Sequence, residues 1–250
     1  MNKSKSELKA MIFAAGMGTR LKPLTDSMPK ALVPIAGKPM LEHLIVKLKK
    51  AGFTQIVVNV HHFADMIIDF LNSNNNFGIT INVSDERDKL LDTGGGIKHA
   101  AEFLQGNEPF LVHNVDIFSN VDLNDIYNKH CSQNSLATLL VSSRKTARYL
   151  LFNAENRLCG WKNKSTGELK LCNTQFSQDE CSEYAFGGIH VISPTIFNCF
   201  ENWEDKFSII DFYLSQAQTQ DIHAYIPTQL KLIDAGKQET LTEIEKFLED

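Results

Sequence analysis

Residues 14–30 read AAGMGTRLKPLTDSMPK. Gly16 and Gly18 carry no Cβ, so the backbone N–H groups around them can approach an anion closely. Arg20 adds a planar fork of donors that matches phosphate oxygens, and Lys30 adds a point charge further along. Pro23 and Pro29 stiffen the excursion and hold the cations in place. A triphosphate is one anion that such a set would take. The stretch is not a P-loop, because G-x-x-x-x-G-K-[ST] is absent. Nor is it the dinucleotide fingerprint G-x-G-x-x-G, since Leu21 stands where the third glycine would be.

A second chemical element lies in PFLVHNVD, residues 109–116. It reads as a strand whose carboxyl end presents Asp116. Mg²⁺ takes hard oxygen ligands, and the end of a strand is a natural place to offer one. Residues 92–97, DTGGGI, place three glycines in a row, a backbone that a flat ring could lie against. The five cysteines, Cys131, Cys159, Cys172, Cys181 and Cys199, form no C-x-x-C pair. They read as reduced thiols of a cytoplasmic protein and not as a zinc site.

These residues need a scaffold that gathers strand ends. The first half of the chain alternates between strand and helix signals. KAMIF leads into the glycine turn. MLEHLIVKLKKAG has helical periodicity and a glycine stop, QIVVNV is a β-branched strand, and FADMIIDFLNS is again helical. ITINVS reads as a strand, IKHAAEFLQG as a short helix, and PFLVHNVD as a strand. Such alternation predicts a parallel sheet with helices on both faces, with ligands outside the carboxyl ends of its strands. The second half reads differently. SLATLLVSS, ARYLLFNAENRLCGWKN and AFGGIHVIS are extended, with turns at 153–156 and 164–167. PTIFNCFENW and SIIDFYLSQAQTQ read as helices, IHAYIP and LKLIDAG as short strands, and QETLTEIEKFLED as a closing helix.

The expectation is an α/β fold. It is a Rossmann-like three-layer α/β/α arrangement with a mostly parallel, mixed central sheet and a small β-rich insertion. A single domain over 1–250 is favoured, with a core at about 9–142 and a mixed-sheet part with the closing helix at about 143–250. The chain has 250 residues, 43% hydrophobic and 22% charged, and a net charge of −5, an ordinary globular composition. The acidic balance argues against a nucleic-acid or membrane surface. No apolar run reaches the ~18 residues of a membrane span. The lysines of MNKSKSELKA precede no apolar stretch, so no leader peptide is expected.

The long stretch AAGMGTRLKPLTDSMPKALVPIAGKPM resembles the signature of the sugar-phosphate nucleotidyltransferase family. VVNVHH, LLDTGGGI, VHNVDIF, AFGGIHVIS and LIDAG follow in the family's order. The LDTGGGI form is most similar to the branch containing N-acetylmuramate-1-phosphate uridylyltransferases, with mannose- and heptose-1-phosphate guanylyltransferases as neighbours. The resemblance implies transfer of a nucleotidyl group from an NTP to a sugar 1-phosphate, giving an NDP-sugar and pyrophosphate. It implies that Gly16, Gly18 and Thr19 cradle the triphosphate, that Arg20 holds the departing phosphates, and that Lys30 reaches the α-phosphate. Arg20, Lys30 and Asp116 are the expected catalytic residues. Thr93, Gly94 and Gly95 are expected against the base, with Ala14 and Ala15 on its other side. Asn114 and Gly188 are expected at the acceptor sugar. Asp116 and Asp234 are the implied Mg²⁺ ligands. Two positions depart from the family pattern: Val115 precedes the first aspartate, and Lys237 stands where a threonine is usual.

UTP is the favoured nucleotide, and the oligomeric state stays open. Three alternatives remain. One is a GTP-dependent guanylyltransferase. Another is a cytidylyltransferase for a non-sugar phosphate such as phosphocholine, which would place aromatics around a cationic acceptor. The third is a non-catalytic relative that binds a nucleotide sugar, although Lys30 and Asp116 are both present.

Overall fold

A computed structural model describes residues 7–173 and 180–249. The lysine-rich start, residues 1–6, on which the leader-peptide expectation rests, lies outside the described residues. In chain order the chain forms β1 (Leu8–Phe13), β2 (Pro34–Ile35), β3 (Lys38–Pro39), α1 (Met40–Lys50), β4 (Phe53–Val60), α2 (Ala64–Ser73) and β5 (Thr80–Asp85). Then come α3 (Asp92–His99), α4 (Ala101–Leu104), β6 (Phe110–Asn114), β7 (Ile117–Ser119), α5 (Leu123–Gln133) and β8 (Ala137–Ser142). The β-rich insertion follows as β9 (Arg148–Phe152), β10 (Leu158–Asn163) and β11 (Leu169–Leu171). The chain closes with β12 (Ser182–Ile192), α6 (Ile196–Cys199), α7 (Ile209–Gln216), β13 (Ile222–Tyr225), β14 (Leu232–Asp234) and α8 (Gln238–Glu249).

The first four long strands are parallel, in the order β6-β1-β4-β5. β1 lies at their centre, and the chain leaves it toward β4 on one side and β6 on the other. That reversal opens a crevice at the carboxyl ends, the usual ligand position in such sheets. β12 then adds antiparallel to β6 and continues the sheet toward β8 and the β9–β11 meander.

Alternation along the strands creates two cores. Ala10 and Ile12 of β1 and Ile56, Val58 and Val60 of β4 face one side. Helices α1, α2, α5 and α8 cover that side, α1 through Leu41, Leu44, Ile45 and Leu48 at helical spacing. Met11, Val57, Phe110 and Val112 face the other side, under α3, α4 and α7. The result is the three-layer α/β/α fold that the sequence predicts.

Two local expectations change. The glycines of DTGGGI do not precede a helix; they are its first turns, since α3 begins at Asp92. PTIFNCFENW yields only the four-residue α6, with Pro194 ahead of it. Phe200, Trp203, Phe207 and Phe212 crowd together here, with Phe200 and Phe212 ring centroids 4.7 Å apart. Burying those rings in the second core sets the path of residues 200–208.

Candidate active site

The chain leaves β1 at Phe13 and at once loses its sheet partners. Ala14 and Ala15 are buried, and both of their amides donate to Asn59 Oδ1, at 2.7 and 3.3 Å. Gly16 and Met17 then emerge to the surface. The amides of Gly16, Met17 and Gly18 have no protein acceptor among the described residues. An exposed run of unengaged N–H groups is an anion cradle. Gly18 adopts φ +63°, and its carbonyl accepts from Leu21 N at 2.9 Å and Thr25 Oγ1 at 2.8 Å. A Cβ on Gly18 would stand 2.9 Å from Thr25 Cγ2 and 3.0 Å from Lys30 Cβ, so only glycine closes this turn without strain. Gly16 is different: no atom would meet its Cβ within 4 Å. There the missing side chain leaves the cavity open.

Lys30 begins the short 3₁₀ turn Lys30–Leu32 and is nearly buried. Its ammonium forms an ion pair with Asp116, which sits between β6 and β7. An ammonium has three donors, so donors remain for an incoming anion. Asp234 approaches from the far end of the chain. β14 pairs antiparallel with β7, setting Asp234 opposite Ile117, and Ala235 N donates to Asp116 O at 2.8 Å. Asp234 Oδ1 is buried and has no hydrogen-bond partner. Arg20 Nη2 and Asp234 Oδ1 each lie 2.7 Å from the point where a Cβ of Gly236 would be. Gly236 therefore lets the guanidinium and the carboxylate converge over the backbone.

The opposite wall comes from β5 and α3. Glu86 is buried; its Oε1 accepts from Asn59 Nδ2 at 2.8 Å and its Oε2 from Leu91 N at 3.3 Å. Burial raises the Glu86 carboxyl above its ordinary range, opposed by the hydrogen bonds from Asn59 and Leu91 and by the nearby His99 and His61. Thr93 reaches the cavity, and its Oγ1 accepts from Ile209 N at 3.0 Å. Gly94 and Gly95 are placed elsewhere than expected. Both are buried, and both amides donate to Phe207 O, at 2.9 and 3.3 Å. A Cβ on Gly94 would be 2.2 Å from Phe207 Cε2, and one on Gly95 1.9 Å from Asp205 O. The glycine run lets α3 pack against residues 205–207, and it does not line the cavity.

Ala14, Ala15, Gly16, Gly18, Thr19, Arg20, Lys30, Thr93, Asn114 and Asp116 all border one cavity of about 540 Å³. Gly188 lies behind Asn114: at φ +70°, its Cβ would fall 2.9 Å from Asn114 Nδ2. Val115, the departure from the family pattern, is buried and donates its amide to Phe13 O at 3.1 Å, which leaves Asp116 at the rim. Lys237 is exposed, and its carbonyl accepts from Thr240 at the start of α8. Trp161 belongs to β10, away from the cavity lining, with Lys170 Nζ 5.3 Å from its ring. Asn59, Leu90 and Lys206 also line the cavity; Lys206 lies outside the motifs, and Asn59 and Leu90 lie within VVNVHH and LLDTGGGI with no role assigned to them. Asn59 was legible only as a polar residue within QIVVNV and VVNVHH, beside Gln55 at the strand's start.

A profile described as Nucleotidyl transferase matches residues 9–250. The N-acetylmuramate alpha-1-phosphate uridylyltransferase of Caulobacter vibrioides is 48% identical over 109 residues, 43% of this chain and 45% of that protein. The mannose-1-phosphate guanyltransferase beta-B of Xenopus laevis is 34% identical over 154 residues, 60% of this chain and 42% of that protein. The matches thus span less than half the length of these relatives. Among solved structures, HddC from Yersinia pseudotuberculosis complexed with GMP-PN has a similar fold at 24% identity, with a TM-score of 0.75 over 96% of this chain and 99% of that one. The amide cradle at the end of β1, the paired strand-end carboxylates and a profile match over almost the whole length agree: the chain belongs to the nucleotidyl transferase family.

Proposed function

We propose that the protein transfers a nucleotidyl group from a nucleoside triphosphate to a sugar 1-phosphate. The observation that carries this reading is the meeting of the free amides at 16–18 with Arg20, Lys30 and Asp116 at one cavity, whose lining reaches Gly236, two residues beyond Asp234. In the reaction a phosphate oxygen of the sugar 1-phosphate attacks the α-phosphorus. The bond to the β-phosphate oxygen breaks, and pyrophosphate leaves with that electron pair. Little covalent work falls to the protein, so positioning and charge neutralisation dominate. The amides of Gly16, Met17 and Gly18 and the Arg20 guanidinium would hold the departing phosphates. Lys30 would neutralise charge at the α-phosphate. Asn114, at the rim with Gly188 behind it, would meet the acceptor.

Asp116 and Asp234 suit Mg²⁺. Among the described residues no cluster of three or more metal-type side chains exists. Mg²⁺ typically needs only one or two carboxylates, since waters and substrate phosphates complete its shell. The buried, unpartnered Asp234 Oδ1 is the kind of oxygen that a cation would satisfy. When bound, the ion would neutralise phosphate charge.

Uridylyl transfer is the favoured specificity. The similarity to the Caulobacter vibrioides uridylyltransferase supports it. A guanylyl reading is the alternative: Glu86 offers a buried acceptor that a guanine edge could use, and the Xenopus laevis relative is a guanyltransferase. Pyrophosphate release, measured with four NTPs against a panel of sugar 1-phosphates and phosphocholine, tests the reading. Release with no pair overturns it, and release with GTP alone replaces uridylyl by guanylyl transfer.

A further inference from the structure

Asn59 touches both walls of the cavity. It is the last residue but one of β4, in register with Phe13 of β1 on one side and Ser84 of β5 on the other. Its carbonyl oxygen accepts from the amides of Ala14 and Ala15, the first residues after β1. Its amide nitrogen donates to Glu86 Oε1, and Glu86 in turn holds Leu91 N just before α3. The whole chain of contacts is buried. Gly96 leaves room for it: a Cβ there would stand 2.9 Å from Glu86 Oε1 and 3.3 Å from Asn59 Nδ2. An amide is suited to this position, because one face must only accept and the other must donate to a carboxylate.

We propose that Asn59 is a positioning residue that couples the two halves of the nucleotide site: through Ala14–Ala15 it sets the phosphate cradle, and through Glu86–Leu91 it sets the wall against which the base lies. The inference rests on the reading that a nucleoside triphosphate fills this cavity. Its consequence is that base and phosphates are recognised as one unit. A disturbance at Asn59 then costs nucleotide affinity far more than it costs acceptor affinity or turnover.

Asn59→Asp is the informative variant. The introduced carboxylate still accepts from Ala14 and Ala15 but cannot donate to Glu86. Two buried carboxylates in contact favour sharing one proton, which holds them together, and losing that proton as pH rises drives them apart. The titratable groups that act on Glu86 are His61 at the end of β4 and His99 on α3. Asp85 and Arg87 flank it but pair with each other. Asp92 accepts from Thr93 N, within its own helix.

The experiment measures steady-state constants for wild type and Asn59→Asp from about pH 6 to 8, with amide hydrogen exchange on the ligand-free wild type. At the alkaline end the variant is expected to raise the NTP KM by ~10-fold or more, leaving kcat and the sugar-phosphate KM within about twofold. The NTP KM recovers as pH falls, and wild type shows no such recovery. Equal loss in kcat and both KM values, independent of pH, overturns the proposal and makes Asn59 a packing residue. In exchange, the Ala14, Ala15 and Leu91 amides are expected to share one level of protection; independent exchange overturns the coupling even if the variant does not fold. A wild type that is inactive with every NTP but shows shared protection refutes the nucleotide reading and keeps the coupling.

Discussion

Lys30 and Asp116, 86 positions apart in the chain, form an ion pair at the carboxyl edge of the sheet. The lysine comes from the excursion after β1 and the aspartate from the turn after β6, the two neighbouring strands at the crevice. Charge crowds around phosphorus as a phosphoryl group is transferred, and a preorganised cation there acts mainly on the transition state. Lys30→Ala is therefore expected to lower kcat by ~10²–10³ with a smaller change in KM. Circular dichroism and steady-state kinetics check this; a folded variant with near-normal kcat removes Lys30 from the chemistry.

The two carboxylates make a second expectation. Asp116 precedes β7 and Asp234 closes β14, at the same end of the β7–β14 ladder, and Asp234 Oδ1 lacks a partner. EDTA should abolish turnover and added Mg²⁺ restore it, and Asp234→Asn should raise the Mg²⁺ concentration needed for half-maximal rate. Full activity in metal-free buffer would refute the assignment.

The glycines separate into two kinds. Gly95→Ala puts a Cβ 1.9 Å from the Asp205 carbonyl oxygen, a backbone atom that cannot turn aside. Overpacking of this kind costs ~3 kcal/mol, a drop of several degrees in melting temperature for a chain of this size. Gly16→Ala meets nothing within 4 Å. It should keep its melting temperature within about 2 °C while weakening triphosphate binding, because the methyl group enters the cradle. Equal stability loss in both variants would contradict this division.

Base preference can be read without turnover. Ligands that bind only the folded chain raise its melting temperature by an amount that grows with the logarithm of their concentration over Kd. UTP is expected to shift it more than GTP at equal concentration. A larger shift with GTP would favour the guanylyl reading and a direct role for the Glu86 carboxylate.

Glu86 also predicts a pH effect on stability. Burial raises its folded carboxyl above the unfolded value. As pH rises between the two, the unfolded chain releases its proton first, so stability falls across that window and stays reduced above it. Glu86→Gln has no such charge to bury, so urea unfolding of the variant should lack this part of the decline. Parallel pH curves for the two proteins would show that Glu86 carries no such penalty.

The glycine turn, the cations after it and the alternation of strand and helix were legible in the sequence, because each depends on residues a few positions apart. KAMIF and QIVVNV announce strands buried on both faces, and AAGMGTRLKP announces the turn that leaves one of them. The three-layer fold follows from that pattern and from the handedness of parallel crossovers. Which side chains meet across the cavity was decided by tertiary structure. Asn59 reaches Ala14 and Glu86 only because β1, β4 and β5 end side by side. Asp234 nears Asp116 only because β14 pairs with β7. The glycine run illustrates the same limit. Its composition suggests a surface for a flat ligand, yet two of its glycines are there for the Asp205 carbonyl and the Phe207 ring, more than a hundred residues away. A missing Cβ reads the same in sequence whether it admits a ligand or another part of the chain, and only the packing of α3 against residues 205–207 distinguishes the two.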